Sequence, residues 1–545
     1  MTIQRVSGRI VDVVNRTEFP GTVEIAGGLI RRIRRDARPR GRGLIMPGFV
    51  DAHIHIESSL LPPAEFARMA VVHGTVATVS DPHEIANVLG VPGVDYMISD
   101  GRRTPFKFNF GAPSCVPATD RETAGARLGP RAVDRLLARP EIRFLSEVMN
   151  FPGVLGRDPD VLSKLAAALR RGKPADGHAP GLRGASARAY ADAGITTDHE
   201  CFTLAEAKGK LRAGMKILIR EGSAARNFEA LAPLLFSNPD RCMFCCDDLH
   251  PDLLAKGHLD AHIRRALALG VDRFDALACA SVNAVRHYGL PVGLLQEGDP
   301  ADFVVVDGWR RFRVRRTYLD GRLVAREGRS LLPRRRPLIV NRFRAKPREA
   351  SDFAVRAEGR TLNAIVALDG QLVTGADRVR ARVVGDMAEA DTGRDLLKIA
   401  VVNRYVAGAQ PAVGFVRGFG LRRGAIASSV AHDSHNIVAV GASDAELAEA
   451  VNAVIAARGG VSVVGRGRCR ILPLPIAGLM AAGAGADVAR RYTELDRAAK
   501  ALGSRLAAPL MTLSFMALLV IPDLKLSDLG LFSGTRWKFQ PLFGR

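Results

Sequence analysis

Apolar runs alternate with helical patterns through the first 295 residues of the chain. Patterns with helical spacing, such as Asp158–Arg171 and Leu204–Ala213, lie between runs with the length and residue types of buried strands. The clearest runs are Gly74–Ser80, Phe106–Phe110, Arg143–Val148, Ala193–Asp198, Lys216–Arg220 and Cys242–Asp247. This alternation predicts a parallel sheet. A count of strand–helix units close to eight predicts a closed (β/α)8 barrel of the TIM type over residues 46–295.

Short strand patterns flank the barrel segment on both sides. They alternate apolar and polar positions around glycine-containing turns, at Gly8–Val14, Gly21–Ile30, Gly298–Gly308 and Val314–Val324. Neither side is large enough to build a hydrophobic core alone. We therefore predict that residues 1–45 and 296–345 pair into one small, discontinuous β domain, with the barrel inserted between them.

A third segment follows a basic, proline-containing linker at Arg334–Arg348. Short β runs at Leu362–Ala367 and Lys398–Asn403 are mixed with a helical pattern at Asp444–Arg458 and with glycine-rich stretches. This mixture predicts an additional α+β domain over residues 350–545. The predicted fold class of the whole chain is therefore α/β, with a barrel and two accessory domains.

Composition and charge narrow the functional classes. The 545 residues are 47% hydrophobic and 25% charged, which is ordinary globular composition. The net charge of +22 raises the question of nucleic acid, but apart from Arg31–Arg42 and Arg310–Arg348 the basic residues are scattered. No known nucleic-acid module accompanies them, so we expect no nucleic-acid partner. Binding that weakens steeply with salt would support that minority hypothesis.

The sequence also favours a cytoplasmic protein without a membrane partner. The apolar stretch Pro509–Pro522 is too short to cross a bilayer, and no basic-then-apolar leader opens the chain. The seven cysteines include one C-x-x-C at Cys242–Cys245, but no second pair completes a zinc ribbon. Reduced, buried thiols are the simpler interpretation.

Candidate chemistry begins at PGFVDAHIHIESS, residues 47–59, which places His53 and His55 in an apolar run. Residues two apart on a strand point to the same face, so both imidazoles can hold one metal ion. An isolated pair of this kind also arises by chance. Further histidines and carboxylates close the other predicted strands, at Glu147, His178, His199, Asp247 and Asp248.

Four imidazoles and at least two carboxylates suffice for two divalent ions with a position open to water. A water held between two cations loses a proton near neutral pH and becomes a nucleophile. A nearby carboxylate can pass the remaining proton to a leaving group. Each of these residues alone is more often structural, so the joint pattern carries the prediction.

Three further groups are secondary candidates. Asp81, His83 and Glu84 follow a predicted strand and belong at the same barrel mouth, or they form a capping Asp with an exposed His and Glu. Arg220 and Ser223, in REGSAARN, line a pocket or belong to a salt-bridged loop. In the third domain, a histidine–aspartate group either reaches the active site, binds metal or is structural: His432, Asp433 and His435.

In this order, these residues resemble the amidohydrolase superfamily, and within it the adenine deaminase family nearly from end to end. The N-terminal stretches that carry the resemblance are MPGFVDAHIHIESSLL, SDPHEIANVLG, SEVMNFPGVLG, DGHAPGL, DHECFTLAEA and CCDDLHPDLL. Near the C-terminus, GAIASSVAHDSHNI and MTLSFMALLVIPDLKLSDLGLF are the most specific, because other amidohydrolases lack that domain.

The resemblance implies two divalent metal ions, manganese or iron. His53, His55 and Asp247 would bind the more buried ion, and His178 and His199 the second. Glu147 stands where many binuclear amidohydrolases carry a bridging carboxylated lysine.

The implied reaction is hydrolytic deamination of adenine to hypoxanthine and ammonia, with Asp247 as general base. Glu147 and Glu84 are further catalytic candidates. The expected substrate-binding residues are His83, Asp81, Arg220, Ser223 and Asp248. The superfamily also leads us to expect a homodimer.

Three positions depart from the family pattern. Leu249 stands where the family has a basic residue, Cys246 where it has Thr, and Ser146 where it has Gly. None of these three differences removes a proposed metal ligand, but they leave open which substrate the enzyme accepts. The alternative enzyme is an amidohydrolase that acts on a different aminopurine or a cyclic amide. A non-catalytic scaffold that has lost its metal is a third hypothesis, and the presence of all six proposed ligands argues against it.

Overall fold

The computed structural model of the protein describes residues 3–36 and 41–544, so the basic stretch Arg31–Arg42 lies partly outside the described residues. The chain opens with four strands: β1 (Gln4–Asp12), β2 (Thr17–Ala26), β3 (Leu29–Arg35) and β4 (Leu44–Pro47). β1–β2 and β2–β3 pair antiparallel, and β4 pairs parallel to β1. β4 therefore leads the chain out of this sheet and into the barrel.

Eight parallel strands, almost all buried, follow. They are β5 (Phe49–Ile54), β6 (Thr75–Ser80), β7 (Lys107–Ala112), β8 (Ile142–Val148), β9 (Ala175–Gly177), β10 (Thr197–Asp198), β11 (Lys216–Arg220) and β12 (Cys242–Cys245). β5 to β9 form one ladder in sequence order, and β10 to β12 form another. Parallel bridges at Ala175–Ile195 and Ile54–Asp247 join the two ladders into a ring. The predicted (β/α)8 barrel is confirmed.

Helices connect the barrel strands and cover the outside of the ring. In order they are α1 (Pro63–Ala70), α2 (His83–Leu89), α3 (Val91–Gly101), α4 (Pro130–Leu137), α5 (Phe151–Leu155), α6 (Pro159–Arg170), α7 (Gly184–Asp192), α8 (Leu204–Arg212), α9 (Phe228–Leu231), α10 (Leu234–Ser237), α11 (Pro251–Leu254), α12 (Leu259–Ala268), α13 (Arg273–Cys279) and α14 (Val282–Tyr288). Local sequence explains where several begin. Asp158 accepts hydrogen bonds from two backbone amides at the start of α6, and Asp272 does the same for α13.

After the barrel the chain returns to the first sheet. It adds β13 (Phe303–Val306), β14 (Val314–Leu319), β15 (Arg322–Arg326) and β16 (Arg329–Ser330). β13 pairs antiparallel with β4, giving the order β16-β15-β14-β13-β4-β1-β2-β3. Ile10, Val23 and Phe303 share one buried cluster inside this sheet. The predicted pairing of the two flanking segments is confirmed.

Residues 331–349 contain no helix or strand, in agreement with the predicted linker. The third unit has the strands β17 (Thr361–Ala367), β18 (Thr374–Arg380), β19 (Arg382–Val384), β20 (Met387–Glu389), β21 (Leu397–Val402), β22 (Ala412–Arg417), β23 (Ala425–Ser428), β24 (Ile437–Gly441), β25 (Gly460–Gly465), β26 (Arg468–Pro473), β27 (Leu524–Ser527), β28 (Gly530–Ser533) and β29 (Lys538–Phe539). Its helices are α15 (Asp444–Ala456), α16 (Gly485–Ala501) and α17 (Pro509–Ser514). The predicted mixture of strand and helix is present.

The third unit is built on a mixed sheet that docks against the barrel. The strand order is β18-β17-β22-β21-β24-β23-β25-β26, and α15 packs on one side of it. α16 packs against α1 and α11 of the barrel. The Gly485 amide at the start of α16 donates to Glu65 of α1 over 2.8 Å, and the Ala481 amide donates to the Leu60 carbonyl over 2.8 Å. The third unit therefore lies over the carboxyl ends of the barrel strands.

Candidate active site

The carboxyl ends of five barrel strands, β5, β8, β9, β10 and β12, bring the six predicted ligand residues together. Parallel barrel strands direct the residues at their carboxyl ends to one mouth, which explains why residues almost 200 positions apart meet. All six side chains are buried: His53, His55, Glu147, His178, His199 and Asp247. The barrel fold thus assembles every residue that the sequence singled out as a metal ligand.

Glu147 lies at the centre of this cluster. One carboxylate oxygen is 2.7 Å from His178 Nδ1 and 3.1 Å from His199 Nε2. Its other oxygen is 3.4 Å from His55 Nε2. On the opposite side, Asp247 Oδ1 lies 3.1 Å from His55 Nε2 and 3.6 Å from His53 Nε2. Two carboxylates therefore link all four imidazoles.

The barrel closes at this same cluster. The Asp247 amide donates to the His53 carbonyl over 2.9 Å, and the His55 amide donates to the Asp247 carbonyl over 3.2 Å. Asp247 has a φ of 56°, in the left-handed region that Asp tolerates better than most residues. This local turn ends β12 and directs the Asp247 carboxylate toward the histidines of β5.

The donor set fits divalent cations. Both ring nitrogens of His53 and the Nε2 atoms of His178 and His199 are buried without a hydrogen-bond partner in the described part of the chain. Leaving buried polar atoms unpaired is costly, so their convergence indicates a ligand. Donor atoms of His53, His55 and Asp247 lie within 4.8 Å of one another, as do those of His53, Glu147 and His199. Imidazole and carboxylate donors suit zinc, iron and manganese.

Arg220 contributes a positive charge beside the cluster. Its guanidinium is buried and donates to both Glu200 and Asp247. Burial alone would raise the pKa of Asp247, but the Arg220 charge and the neighbouring imidazoles of His53 and His55 hold it well below its usual range. Arg220, expected to bind substrate, thus contacts two carboxylates of the site.

The sequence reasoning missed Glu200. Its carboxylate lies 3.6 Å from His199 Nε2 and 3.8 Å from His178 Nδ1. The sequence did offer one signal, since Glu200 is an acidic residue directly after His199, which ends a predicted strand.

Asp81 and His83 lie at the mouth next to the cluster. Asp81 Oδ1 accepts from the His83 amide over 3.1 Å, at the start of α2, and Oδ2 is 3.1 Å from His83 Nδ1. The same Nδ1 lies 3.5 Å from Glu147. Burial alone would lower the pKa of His83, but the charges of Asp81 and Glu84 hold it well above its usual value. Asp81 therefore accepts from the first amide of α2 and orients a buried imidazole, so the alternative with an exposed His83 does not hold.

Glu84 connects the barrel to the third unit. One oxygen of its buried carboxylate lies 2.6 Å from His432 Nδ1, and the other contacts His435 Nε2. Burial alone would raise the pKa of Glu84, but the neighbouring histidines hold it well below its usual range. Burial alone would lower the pKa of His432, but Glu84 and Asp248 raise it to about 9. The C-terminal histidines thus do reach the barrel mouth.

Asp248 and Ser223 organise the loop after β12. Asp248 accepts a hydrogen bond from the Ser58 hydroxyl, and its backbone carbonyl accepts from the Ser223 amide over 2.7 Å. Ser223 Oγ accepts from the His250 amide over 2.8 Å. These contacts hold the Asp248 carboxylate between Ser58, in the turn after β5, and His432 of the third unit. The three departures from the family pattern, Ser146, Cys246 and Leu249, are all buried.

Comparison with known families agrees with this architecture and site. The description "Amidohydrolase family" matches residues 44–324, which hold the barrel and all six clustered side chains. The chain therefore belongs to the amidohydrolase family, a class of metal-dependent hydrolases.

Sequence similarity over the full length identifies the branch of this family. "Adenine deaminase C-terminal domain" matches residues 371–538. A relative named adenine deaminase from Salinibacter ruber is 58% identical over 99% of this chain and 98% of its own. Relatives of the same name from a Sulfurovum species and from Methanosarcina acetivorans are 55% and 50% identical, covering 97% and 98% of this chain and 98% and 99% of their own. Within the amidohydrolases, the chain is a member of the adenine deaminase family.

Proposed function

We propose that the protein hydrolyses adenine to hypoxanthine and ammonia at a binuclear metal centre. The observation that carries the proposal is the convergence of four buried imidazoles on Glu147 and Asp247, in a chain similar over its full length to proteins named adenine deaminase. The unpartnered nitrogens of His53, His178 and His199 support metal binding independently of that similarity.

Each residue of the cluster has a proposed role. His53, His55 and Asp247 would hold one cation, and His178 and His199 the second. Glu147 contacts His55, His178 and His199, so it would serve both sets of ligands. Manganese or iron is the proposed metal. Divalent cations lower the pKa of a bound water, which supplies the nucleophile at neutral pH.

The carboxylate of Asp247 is placed to move protons during the reaction. In its ionised form this carboxylate can accept a proton from the attacking water. As the new C6–O bond forms and the C6–N bond of adenine breaks, Asp247 returns this proton to the departing amine. Arg220 holds the carboxylate in position through their direct contact.

The mouth residues have supporting roles in the proposal. His83 lies between the Glu147 side of the cluster and the third unit, so it is placed to donate to the purine ring. Both oxygens of Glu84 already contact histidines of the third unit, which favours a positioning role over proton transfer. Asp81 orients His83, while Asp248 and Ser223 shape the loop that faces the substrate.

The test is ammonia release from adenine by protein reconstituted with manganese, next to metal-stripped protein. We expect metal-dependent release with hypoxanthine as the product. His53→Ala and Asp247→Ala should lower kcat by at least about 10³-fold, the range seen when a central catalytic group is removed, with the fold kept. Near-wild-type turnover by either variant would contradict the metal assignment.

Substrate profiling separates adenine from the second candidate substrate class. Leu249, Cys246 and Ser146 are buried close to Asp247 and Glu147, and they differ from the family pattern. Two bound metals without turnover of adenine would direct the search to other aminopurines and cyclic amides.

We further propose a cytoplasmic homodimer that binds no nucleic acid. All seven cysteines are free, and all but Cys469 are buried, which suits a reducing compartment. No helix in the described ranges has the length and apolar character needed to cross a membrane. Light scattering of the purified protein tests the dimer.

A further inference from the structure

The segment between β23 and β24, residues 429–436, enters the barrel mouth. Its backbone is held from within the third unit, because the His432 amide donates to the Ser514 carbonyl over 3.0 Å. Asn436 fixes it to the barrel by donating to the Thr123 carbonyl over 2.9 Å. Together with the two histidines on Glu84, these contacts make the segment a fixed wall of the site.

Asp433 is the residue of this wall with an unexplained polar atom. The side chain is 3% exposed, and Oδ2 has no hydrogen-bond partner among the described residues. Oδ1 lies 3.8 Å from His83 Nε2 and 4.0 Å from His432 Nδ1, beyond hydrogen-bonding distance. A buried carboxylate oxygen without a donor is costly, so it indicates a missing N–H or O–H partner.

The position of Asp433 defines which part of a substrate would reach it. His83 lies between Glu147 and Asp433, with Nδ1 3.5 Å from Glu147 and Nε2 3.8 Å from Asp433. The same Nε2 is 3.4 Å from Glu84. Asp433 is therefore about one imidazole ring away from the metal-binding cluster. A purine with C6 at the cluster would place its five-membered ring toward the outer wall. Free adenine carries one ring N–H, on that five-membered ring, whereas a nucleoside carries a sugar there.

Charge at the wall agrees with an acceptor at Asp433. The buried carboxyl of Glu122 lies nearby, and burial together with the charge of Asp433 raises the pKa of Glu122 well above its usual value. A carboxylate oxygen accepts hydrogen bonds, so the unpartnered Oδ2 of Asp433 suits an N–H or O–H donor on the ligand.

We propose that Asp433 accepts the ring N–H of the substrate and so restricts the site to free purine bases. This specificity-determining role rests on the proposed adenine deamination. It makes the third unit part of the substrate site, because Asp433 belongs to that unit.

The experiment compares kcat/KM for adenine and for 9-methyladenine, which lacks the N9–H, in manganese-loaded protein. Wild-type protein should prefer adenine by at least about 10²-fold, because a site built to bind a donor rejects an analogue that lacks it. Asp433→Ala should lower kcat/KM for adenine by about 10²-fold and leave or raise that for 9-methyladenine. Asp433→Asn keeps one acceptor oxygen and should lose only about tenfold.

Asp528→Asn is the matched control. Asp528 accepts from the Thr123 amide over 2.9 Å and from Asn403 over 2.7 Å, so it joins the same two units without belonging to the wall. The substrate ratio should remain that of the wild type in this variant, and Asp433→Ala should still bind two metals per chain. Equal losses on both substrates in Asp433→Ala, or no loss at all, would overturn the inference. Absence of adenine turnover by the wild-type protein would instead overturn the proposed function.

Discussion

Charged side chains in this protein are buried as sets of opposite sign. Arg220 lies between Glu200 and Asp247, and Lys210 lies 3.0 Å from both Asp198 and Glu206. A buried charge without a partner is strongly unfavourable, so the removal of one member would leave the others uncompensated. Lys525 is an exception that can be tested.

Lys525 is fully buried, and within the described part of the chain it donates only to the backbone carbonyls of Leu372 and Phe515, over 2.6 and 2.9 Å. Burial lowers its pKa from 10.5 to about 7. The unfolded chain therefore binds more protons than the folded chain between these two pH values, and stability should rise with pH across that window. Below pH 7 the folded protein carries the full cost of a buried ammonium.

Lys525→Met removes this titration. The free energy of unfolding of the wild-type protein, relative to that of the variant, should increase by about 1.4 kcal/mol per pH unit between about pH 7.5 and 9.5. Urea unfolding of both proteins across this range measures it. A difference that stays constant with pH would show that Lys525 does not titrate there.

The residues of the site differ in how far the sequence predicts them. His53 and His55 are visible because a strand repeats every two residues, and Glu147, His199 and Asp247 end recognisable apolar runs. The contact of Glu84 with His432 spans 348 positions, and no local pattern reports it. This contact forms only because the third unit docks against the barrel, and the sequence alone does not show that docking.

At the scale of elements, the junction between β5 and β12 closes the barrel and carries both His53 and Asp247. Asp51 stabilises this junction through its buried carboxylate. Its Oδ1 accepts from the amides of His53 over 3.3 Å and Cys246 over 3.1 Å, and its Oδ2 lies 3.0 Å from His258 Nε2. The Asp51 carboxylate therefore fixes the backbone at His53, on the first barrel strand, and at Cys246, directly before the proposed ligand Asp247.

Asp51→Asn keeps an acceptor for the two amides but removes the charge opposite His258. We expect the fold to survive and metal affinity to fall by about ten- to a hundredfold, as for other groups that orient metal ligands. Competition with a chelator measures this loss without relying on turnover. Asp299→Asn is a suitable control, since Asp299 also accepts two backbone amides, those of Leu294 and Gln296, but lies far from the cluster. Equal metal affinity in both variants would contradict the role of Asp51.

The strands and helices themselves follow largely from local patterns. The runs predicted at Lys216–Arg220 and Leu204–Ala213 coincide with β11 and α8 within one residue. Closure of the ring is different, because β9 and β10 are only three and two residues long and are joined by a single bridge. Such short pairings depend on the surrounding helices, so periodicity alone does not report them.

On the scale of the whole molecule, the barrel and the third unit share one hydrophobic core. The largest buried cluster runs from barrel residues such as Leu61 and Phe66 to Met480 and Leu513 of the third unit. The predicted boundaries at residues 295 and 350 describe where the chain passes from one unit to the next. Buried apolar side chains nevertheless continue across the contact between these units. The third unit thus contributes to stability as well as to the site.

A chain that ends at residue 350 should therefore fail in two ways. It exposes the barrel surface that α16 covers, including Leu61 and Met69 around Gly485, so we expect aggregation and binding of a hydrophobic dye. It also leaves Glu84 without His432 and His435, so any soluble fraction should lose activity. Val384→Ser, on the exposed strand β19 of the same unit, should change neither solubility nor turnover. A soluble and fully active truncated chain would show that the third unit is dispensable, and it would also exclude Asp433 from the substrate site.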